Sequence, residues 1–310
     1  MTAGNPHGNA PQPPRLRRGR GTAWVLVHSP ATGPLVWAGV AAELRAAGRA
    51  VAVPDLRETL ADEPGWASRQ VEAAVGQSTV DGPYVVVGHS WAGTLIPAIG
   101  ARLGDVAAYL FVDASFPRPG RSFAQTAPAL MDLVLGMTRD GWTEPWPRWW
   151  GEQEMAAALP DPAVRAAFEA QCRPLPLGMF REPAPVVRGF PDAPCGYLRL
   201  SEAYDLDDAR ALGWQVGDLP GDHLSMVTDP AGVTAAMLAL AEQVAATVTR
   251  VSDNEREFTP DRSNIDPSRD PTPGVPDHLA LDDAGDRPLI DPTRDPTPGK
   301  PDHAAPDDDG

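Results

Sequence analysis

Apolar and polar positions along the first 115 residues alternate between two kinds of block. Short runs rich in apolar and β-branched residues predict buried strands, and segments with apolar residues at helical spacing predict helices between them. The predicted strands are residues 22–28, 50–56, 84–90 and 106–113, and the predicted helices are residues 34–47, 68–75 and 91–103. This alternation predicts an α/β fold with a doubly wound, mostly parallel sheet that is covered by helices on both faces.

The alternation is interrupted between residues 116 and 191, where the chain is rich in Pro, Met and Trp and shows no clear strands. Short helices are predicted there over residues 127–136, 150–159 and 162–172. The first pattern then resumes, with strands over 195–201 and 214–219, a helix around 207–212 and a long helix from 229 to about 249. We therefore predict one α/β domain over residues 22–250 with a helical lid, residues 116–191, inserted into it.

Four tryptophans of this insertion lie within nine residues: Trp142, Trp146, Trp149 and Trp150. Large aromatic side chains of this kind either attach an insertion to the domain beneath it or line an apolar substrate cleft. The sequence leaves both interpretations open.

The two ends of the chain differ in composition from the domain. Residues 1–21 are rich in Pro, Gly and Arg and lack an apolar segment, which predicts a disordered N-terminal arm and not a secretory signal. Residues 251–310 are acidic and proline-rich, and residues 265–278 recur with few changes as residues 290–303. Such a segment is too poor in apolar residues to bury a core, so we predict a disordered, solubilising tail, with a partner-binding motif as the alternative.

The formal net charge of −16 is concentrated in the tail, which carries 16 of the 42 acidic and 6 of the 26 basic side chains. The remaining residues offer no basic face for phosphates, so nucleic acid is not an expected partner. The absence of any run of eighteen apolar residues argues against a membrane partner. The two cysteines, Cys172 and Cys195, suggest neither a disulfide framework nor a metal site, and a cytoplasmic location is expected by default.

Residues 88–92, Gly-His-Ser-Trp-Ala, join a predicted strand directly to a predicted helix. This is the layout of a nucleophile elbow, in which the serine adopts a strained backbone and its neighbours two residues away must be small. Gly88 and Ala92 meet that requirement. The turn would present Ser90 Oγ at the sheet edge and place the Trp91 N–H beside it as an oxyanion donor. An ordinary strand-to-helix turn with a surface serine is the alternative.

A nucleophilic serine needs a base, and residues 22–250 contain three histidines. His89 lies inside the elbow, where its side chain would point away from Ser90 Oγ. His28 ends the first predicted strand and is expected to hold the adjoining loop. His223 follows the last predicted strand and precedes the last helix, at the sheet edge where Ser90 is expected. His223 is therefore the predicted base.

With these residues the chain resembles the α/β-hydrolases over residues 22–250, in particular the small single-domain members related to esterases. The resemblance rests on the order serine, acid, histidine and on residues 25–30, 53–56, 88–93, 111–117 and 220–224. Residues 218–223, Asp-Leu-Pro-Gly-Asp-His, are also similar to the histidine loop of polyketide and non-ribosomal-peptide thioesterases. The resemblance implies cofactor-independent cleavage of a small-molecule ester or thioester through an acyl-enzyme on Ser90.

The acid is open within this resemblance. Most relatives carry it after the strand that precedes the histidine strand, where this chain offers Glu202 and Asp205, neither at the usual spacing. Biosynthetic thioesterases carry it one strand earlier, which corresponds to Asp113, followed here by the small Ala114. We prefer Asp113, with Glu202 and Asp205 as alternatives; a simple turn-capping role for Asp113 is the competing interpretation.

The second oxyanion donor is also irregular. Many relatives use the N–H of the last residue of a His-Gly-x segment, and this chain has Pro30 at that position, which has no N–H to donate. The Ser29 hydroxyl or the Ala31 N–H must take its place, or the oxyanion hole is incomplete. A pathway thioesterase and a non-catalytic binding protein of the same fold are the two alternative functions.

Overall fold

Buried apolar runs form the strands of a parallel sheet. The structure, a computed structural model, describes residues 21–257, and side chains up to residue 247. In chain order the strands of this part are β1 (Ala23–Val27), β2 (Ala50–Ala52), β3 (Tyr84–Ser90), β4 (Val106–Ala114), β5 (Thr138–Arg139), β6 (Trp142–Thr143), β7 (Cys195–Arg199) and β8 (Gln215–Asp218). Six of them form one sheet in the order β2-β1-β3-β4-β7-β8, and every pairing in it is parallel.

Helices connect these strands. They are α1 (Ala38–Ala46), α2 (Trp66–Gln77), α3 (Ile96–Leu103), α4 (Phe123–Thr126), α5 (Pro128–Gly136), α6 (Glu152–Ala158), α7 (Pro162–Glu169), α8 (Asp207–Ala211), α9 (Ser225–Thr228) and α10 (Pro230–Glu257). Short 3-10 turns add Pro34–Trp37, Arg57–Thr59, Trp91–Thr94, Trp146–Trp149 and Leu177–Arg181.

Apolar side chains on both faces of the sheet explain why helices cover both. Trp24 and Leu26 of β1 belong to a buried cluster that includes residues of α1 and α10. The alternate residues, Val25 and Val27, belong to a second cluster with residues of α2 and α3. Successive side chains of a strand point to opposite faces, so one apolar run contributes side chains to both clusters. The predicted doubly wound, mostly parallel sheet is confirmed.

Four predicted elements differ from the structure at their boundaries. The strand predicted over 50–56 ends at Ala52, because Pro54 cannot donate a ladder hydrogen bond. The helices predicted from residues 34 and 91 each begin with a 3-10 turn. The last helix continues to Glu257, past the expected boundary at residue 250; residues 251–257 contain neither Pro nor Gly to end it.

The inserted segment combines α4 to α7 with a small antiparallel hairpin of β5 and β6, which the sequence did not predict. Its apolar side chains form a cluster of their own that includes Met131, Trp149 and Phe180 and also Ala31 of the sheet domain. Contact with the sheet domain is also polar. Glu182 accepts hydrogen bonds from the backbone N–H groups of Gly65, Trp66 and Ala67 at 2.7, 3.1 and 2.8 Å.

Some predictions concern residues that the structure does not describe. The N-terminal arm up to residue 20, the tail from residue 258, its duplicated segment (265–278 and 290–303) and the possible partner motif lie outside the described residues. Between residues 21 and 257, no helix is both long and apolar enough to span a membrane.

Candidate active site

Ser90 is the last residue of β3 and has a strained backbone. Its φ and ψ angles are 57° and −130°, a conformation that residues other than glycine rarely adopt. The 3-10 turn Trp91–Thr94 follows at once. A strand that ends in such a residue and continues directly into a helix has the geometry of a nucleophile elbow.

Close packing around the turn explains the small residues that flank Ser90. A Cβ atom at Gly88 would lie 2.8 Å from Ile96 Cγ2 and 3.1 Å from the backbone of Ala92. A Cβ atom at Gly93 would lie only 2.1 Å from the Ser115 carbonyl oxygen. Ala92 itself is fully buried. The elbow therefore has no room for larger side chains at these positions.

The end of β4 places Asp113 against His223. Asp113 is completely buried, and its Oδ2 lies 2.7 Å from Nδ1 of His223, in the loop between β8 and α9. The His223 side chain is 23% exposed, so the ring is half-buried while the carboxylate beneath it is not accessible. Asp113 is thus the carboxylate that contacts the predicted base.

Further hydrogen bonds hold the Asp113 carboxylate in place. Oδ1 accepts from the backbone N–H groups of Leu200 and Ser201, both at 2.9 Å, and Oδ2 accepts from Ser201 Oγ at 2.6 Å. Burial raises the pKa of Asp113, but the hydrogen bonds and charge of His223, together with those from Ser201 and Leu200, outweigh it and leave this pKa below its usual value. The group is therefore a stable carboxylate.

The alternative acids lie elsewhere. Glu202 and Asp205 are both exposed. Asp205 Oδ1 accepts a hydrogen bond from the Asp207 N–H at 2.6 Å, at the start of α8. Neither side chain is hydrogen-bonded to His223 within the described residues. The loop that follows β7 supplies Ser201 to Asp113 instead of supplying an acid to the histidine.

His89 holds the loop that contains His223. Its Nε2 donates to the His223 carbonyl oxygen at 3.0 Å, and the two rings lie 4.5 Å apart. Its Nδ1 is buried and has no hydrogen-bond partner in the part of the chain that the structure describes, which fits a neutral ring. Burial, with the nearby His223, holds the pKa of His89 well below its ordinary value. As the sequence predicts, this histidine does not face Ser90.

His28 holds the loop that follows β2. Its Nδ1 donates to the Ser29 carbonyl oxygen at 2.7 Å, and its Nε2 accepts from the Leu56 N–H at 3.0 Å. Burial lowers the pKa of His28 to about 4. It is therefore a neutral structural residue, in agreement with the role expected for it.

Tyr204 is a site residue that the sequence analysis missed. Its hydroxyl lies close to the side chains of Ser90 and Ser115, and its ring lies nearly parallel to that of His223, with centroids 5.6 Å apart and an angle of 17°. Within the described residues, no hydrogen bond joins Ser90 to His223. Tyr204 thus contacts both the predicted nucleophile and the predicted base.

The candidate oxyanion donors differ in whether their hydrogens already take part in a hydrogen bond. Trp91 is the first residue of its 3-10 turn, a position whose N–H has no acceptor within the helix. The Ala31 N–H donates to Ser29 Oγ at 3.3 Å. Ser29 Oγ acts as the acceptor in that bond, which leaves its own proton for another partner. Of these two candidates, the Ser29 hydroxyl is the one whose hydrogen is not used in this bond.

The four lid tryptophans do not act as one group. Only the ring of Trp146 lies near the histidine, 6.0 Å from that of His223. Trp149 is buried, donates Nε1–H to the Glu144 carbonyl oxygen and contacts Phe180, so it belongs to the core of the insertion. Trp142 is part of the β5–β6 hairpin, and Trp150 is 41% exposed.

A cleft that is partly open to solvent lies between the insertion and the sheet domain. Its wall is mostly apolar and includes Trp66, Trp91, Phe123 and Met179. None of the four lid tryptophans lines this cleft, and a substrate-cleft role for them stays a prediction. The direction of side chains in an irregular insertion follows from its packing, which no sequence periodicity encodes.

The two cysteines are buried and free. Burial raises the pKa of both Cys172 and Cys195 to about 12, so neither thiol is an activated nucleophile. In residues 21–257, no three His, Cys, Asp or Glu side chains are grouped so that they could hold a metal ion.

Solved structures with the same fold come from several sources. An extracellular α/β-hydrolase from a Paenibacillus species matches at 20% identity and a TM-score of 0.57, over 71% of this chain and 99% of the other. A pyrethroid hydrolase from Sphingobium faniae JZ-2 matches at 18% identity and a TM-score of 0.54, over 71% of this chain and 97% of the other. Tomato methylketone synthase I, complexed with 2-tridecanone, matches at 18% identity and a TM-score of 0.52, over 73% of this chain and 100% of the other. At these identities the likeness describes the fold.

Sequence comparison identifies the family. No curated protein matches the chain significantly. The model of the alpha/beta hydrolase family matches residues 24–237, which include the elbow, the end of β4 and the His223 loop. The chain therefore belongs to the alpha/beta hydrolase family.

Proposed function

We propose that this hydrolase cleaves a carboxylic ester through an acyl-enzyme on Ser90. The observation that carries the proposal is the hydrogen bond between the buried Asp113 and His223, at the same sheet edge as the strained Ser90. A base held by a buried carboxylate next to a serine in an elbow is the arrangement that activates a hydroxyl for attack on a carbonyl carbon.

In the proposed mechanism, Ser90 Oγ attacks the carbonyl carbon while its proton passes to His223 Nε2. The Asp113 carboxylate accepts the Nδ1–H of His223 and stabilises the imidazolium that forms. The Trp91 N–H and the Ser29 hydroxyl stabilise the oxyanion. His223 then returns the proton to the leaving group as the bond to carbon breaks. Water attacks the acyl-enzyme in the same way and regenerates Ser90.

One contact must change before this step. The Ser90 side chain lies close to the Tyr204 hydroxyl and, within the described residues, is not hydrogen-bonded to His223. A rotation of the Ser90 side chain about its Cα–Cβ bond turns Oγ toward His223. Catalytic hydrogen bonds are often loose without substrate and tighten in the complex.

The cleft beside Trp91 suggests the kind of substrate. Aromatic and thioether side chains of Trp66, Phe123 and Met179 form much of its wall. The wall also includes Trp91 and Ser115, the residues that directly follow β3 and β4. Such a surface favours an apolar acyl or alcohol group. We infer a small-molecule ester with at least one apolar part.

Thioester cleavage is the second candidate. It is favoured by the position of the acid at the end of β4, the arrangement that biosynthetic thioesterases use, and by the Asp-Leu-Pro-Gly-Asp-His segment at residues 218–223. A preference for carrier-bound or coenzyme A thioesters over oxygen esters of the same acid would favour this candidate.

Labelling with a fluorophosphonate probe and turnover of short p-nitrophenyl esters test the proposal. Wild type is expected to do both, and Ser90→Ala neither. Ser68→Ala is a matched control, because Ser68 lies in α2, away from the elbow. Absence of both signals in wild type, or an unchanged Ser90→Ala variant, would reject the proposal. Thermal stabilisation by esters without turnover would instead indicate a binding protein.

A further inference from the structure

Tyr204 lies beside two members of the proposed triad. Its ring is stacked on His223, and its hydroxyl lies close to the side chains of Ser90 and Ser115. A phenol hydroxyl has one proton and accepts through its oxygen, so it can donate to one of these serines and accept from the other. A tyrosine that only filled space would not need its oxygen at the nucleophile.

The sheet order determines on which side of Ser90 this hydroxyl lies. Strand β1 is next to β3 on one side, and β4 followed by β7 on the other. The proposed oxyanion donor Ser29 follows β1. Tyr204 follows β7 and reaches Ser115, which follows β4. Tyr204 is therefore on the opposite side of Ser90 from the oxyanion hole and does not replace the donor that Pro30 lacks.

The side occupied by Tyr204 is the side of the leaving group. When the carbonyl oxygen of an ester points toward Trp91 and Ser29, the leaving oxygen must face His223, because His223 gives it a proton. The Tyr204 ring lies along the His223 ring, and its hydroxyl lies close to the Ser90 side chain. A leaving oxygen bound to the same carbon as Ser90 Oγ comes within reach of that hydroxyl.

We propose that Tyr204 donates a hydrogen bond to the leaving-group oxygen as the ester bond breaks, which makes the enzyme selective for unactivated oxygen esters. This inference rests on the proposed function. The Oγ–carbon bond forms, the carbon–oxygen bond of the leaving group breaks, and the proton on the leaving oxygen comes from His223. Tyr204 keeps its own proton throughout and contributes only the hydrogen bond.

Two features of the site fit this role. Burial raises the pKa of Tyr204, so the hydroxyl is protonated and able to donate at neutral pH. Sulfur is a weak hydrogen-bond acceptor, so a thiol leaving group would gain little from the same donor. The proposal therefore predicts that Tyr204 speeds the cleavage of oxygen esters more than that of thioesters of the same acid.

The test compares wild type and Tyr204→Phe, a variant that retains the ring against His223. The readout is kcat/KM, which reports acylation, for esters of one acid with leaving groups from p-nitrophenol to ethanol, and for the ethyl thioester. Tyr84→Phe is the control, since the Tyr84 hydroxyl donates to the Val80 carbonyl oxygen at 3.0 Å, at the far end of β3 from Ser90. Thermal melting verifies that both variants fold.

For Tyr204→Phe we expect kcat/KM to fall by about 10- to 100-fold for the ethyl ester, as for loss of a hydrogen bond to a charged group, and by less than about threefold for the p-nitrophenyl ester and the thioester. Tyr84→Phe should match wild type throughout. A loss of equal size for every leaving group would show that Tyr204 only positions His223 or Ser90 and would overturn the inference, as would no loss at all. A wild type that cleaves none of the esters would reject the proposed function itself.

Discussion

The Asp113 carboxylate and the His223 imidazole are joined by a hydrogen bond of 2.7 Å although 110 residues separate them along the chain. The carboxylate is fully buried at the end of β4, and three further hydrogen bonds from Leu200 and Ser201 satisfy its oxygens. A buried charge of this kind is stable only when it is fully partnered. The pair thus has a fixed geometry before any substrate binds.

Replacement of Asp113 by Asn is expected to lower kcat by about 10³- to 10⁴-fold, because the amide no longer stabilises the His223 tautomer with a proton on Nδ1. The measurement is p-nitrophenyl ester turnover, with circular dichroism to verify folding. Glu202→Gln and Asp205→Asn are the matched controls and should stay within about threefold of wild type, since neither side chain is bonded to His223. If kcat fell further in either control than in Asp113→Asn, that control's residue would be the acid instead.

The same substitution at two glycines should have opposite effects on stability. Gly93→Ala would place a Cβ atom 2.1 Å from the Ser115 carbonyl oxygen, and we expect it to lower the free energy of unfolding by about 3 kcal/mol or more. Gly76→Ala, within α2, meets no atom within 4 Å and should raise that free energy by about 0.5–1 kcal/mol. Urea denaturation measures both. Equal changes in the free energy of unfolding for the two variants would contradict the close packing inferred at the elbow.

Glu182 attaches the end of the insertion to the start of α2. Its two oxygens accept three backbone N–H groups there, where the helix dipole also favours a negative charge. Glu182→Gln removes the charge and one acceptor oxygen, and we expect a loss of about 1–2 kcal/mol in the free energy of unfolding. Glu43→Gln, at an exposed position of α1, should be nearly neutral. Equal values for the two variants in urea denaturation would rule out this role.

Stability should fall as the pH is lowered from about 6.5 toward 4. Burial lowers the pKa of His28 to about 4, so in this window the unfolded chain binds a proton that the folded chain does not. Stability therefore rises with pH through the window, and full protonation of the unfolded histidine corresponds to about 3 kcal/mol. The pH dependence of urea denaturation measures this slope. In His28→Gln it should be smaller by the contribution of one proton; an unchanged slope would exclude His28 as its source.

The sheet was predictable from the sequence because runs such as 84–90 are apolar on both faces and admit few other arrangements. The elbow and the histidine loop followed from residue types that their positions require. Tyr204 and the lid tryptophans were not predictable in the same way. Tyr204 reaches Ser90 only because the loop after β7 folds back over the end of β4, and Trp149 turns into the core of the insertion to pack on Phe180.

The position of Asp113, the proposed acid, on β4 has a consequence for laboratory evolution of this hydrolase. Since the loop between β7 and α8 carries no member of the proposed triad, residues 202 and 203 can be randomised without altering the Asp113–His223 pair. Glu202 and Ala203 are exposed, whereas Tyr204 faces the site. A small library at Glu202 and Ala203, which precede Tyr204 in the chain, therefore samples new leaving-group preferences while Tyr204 and the proposed base are kept.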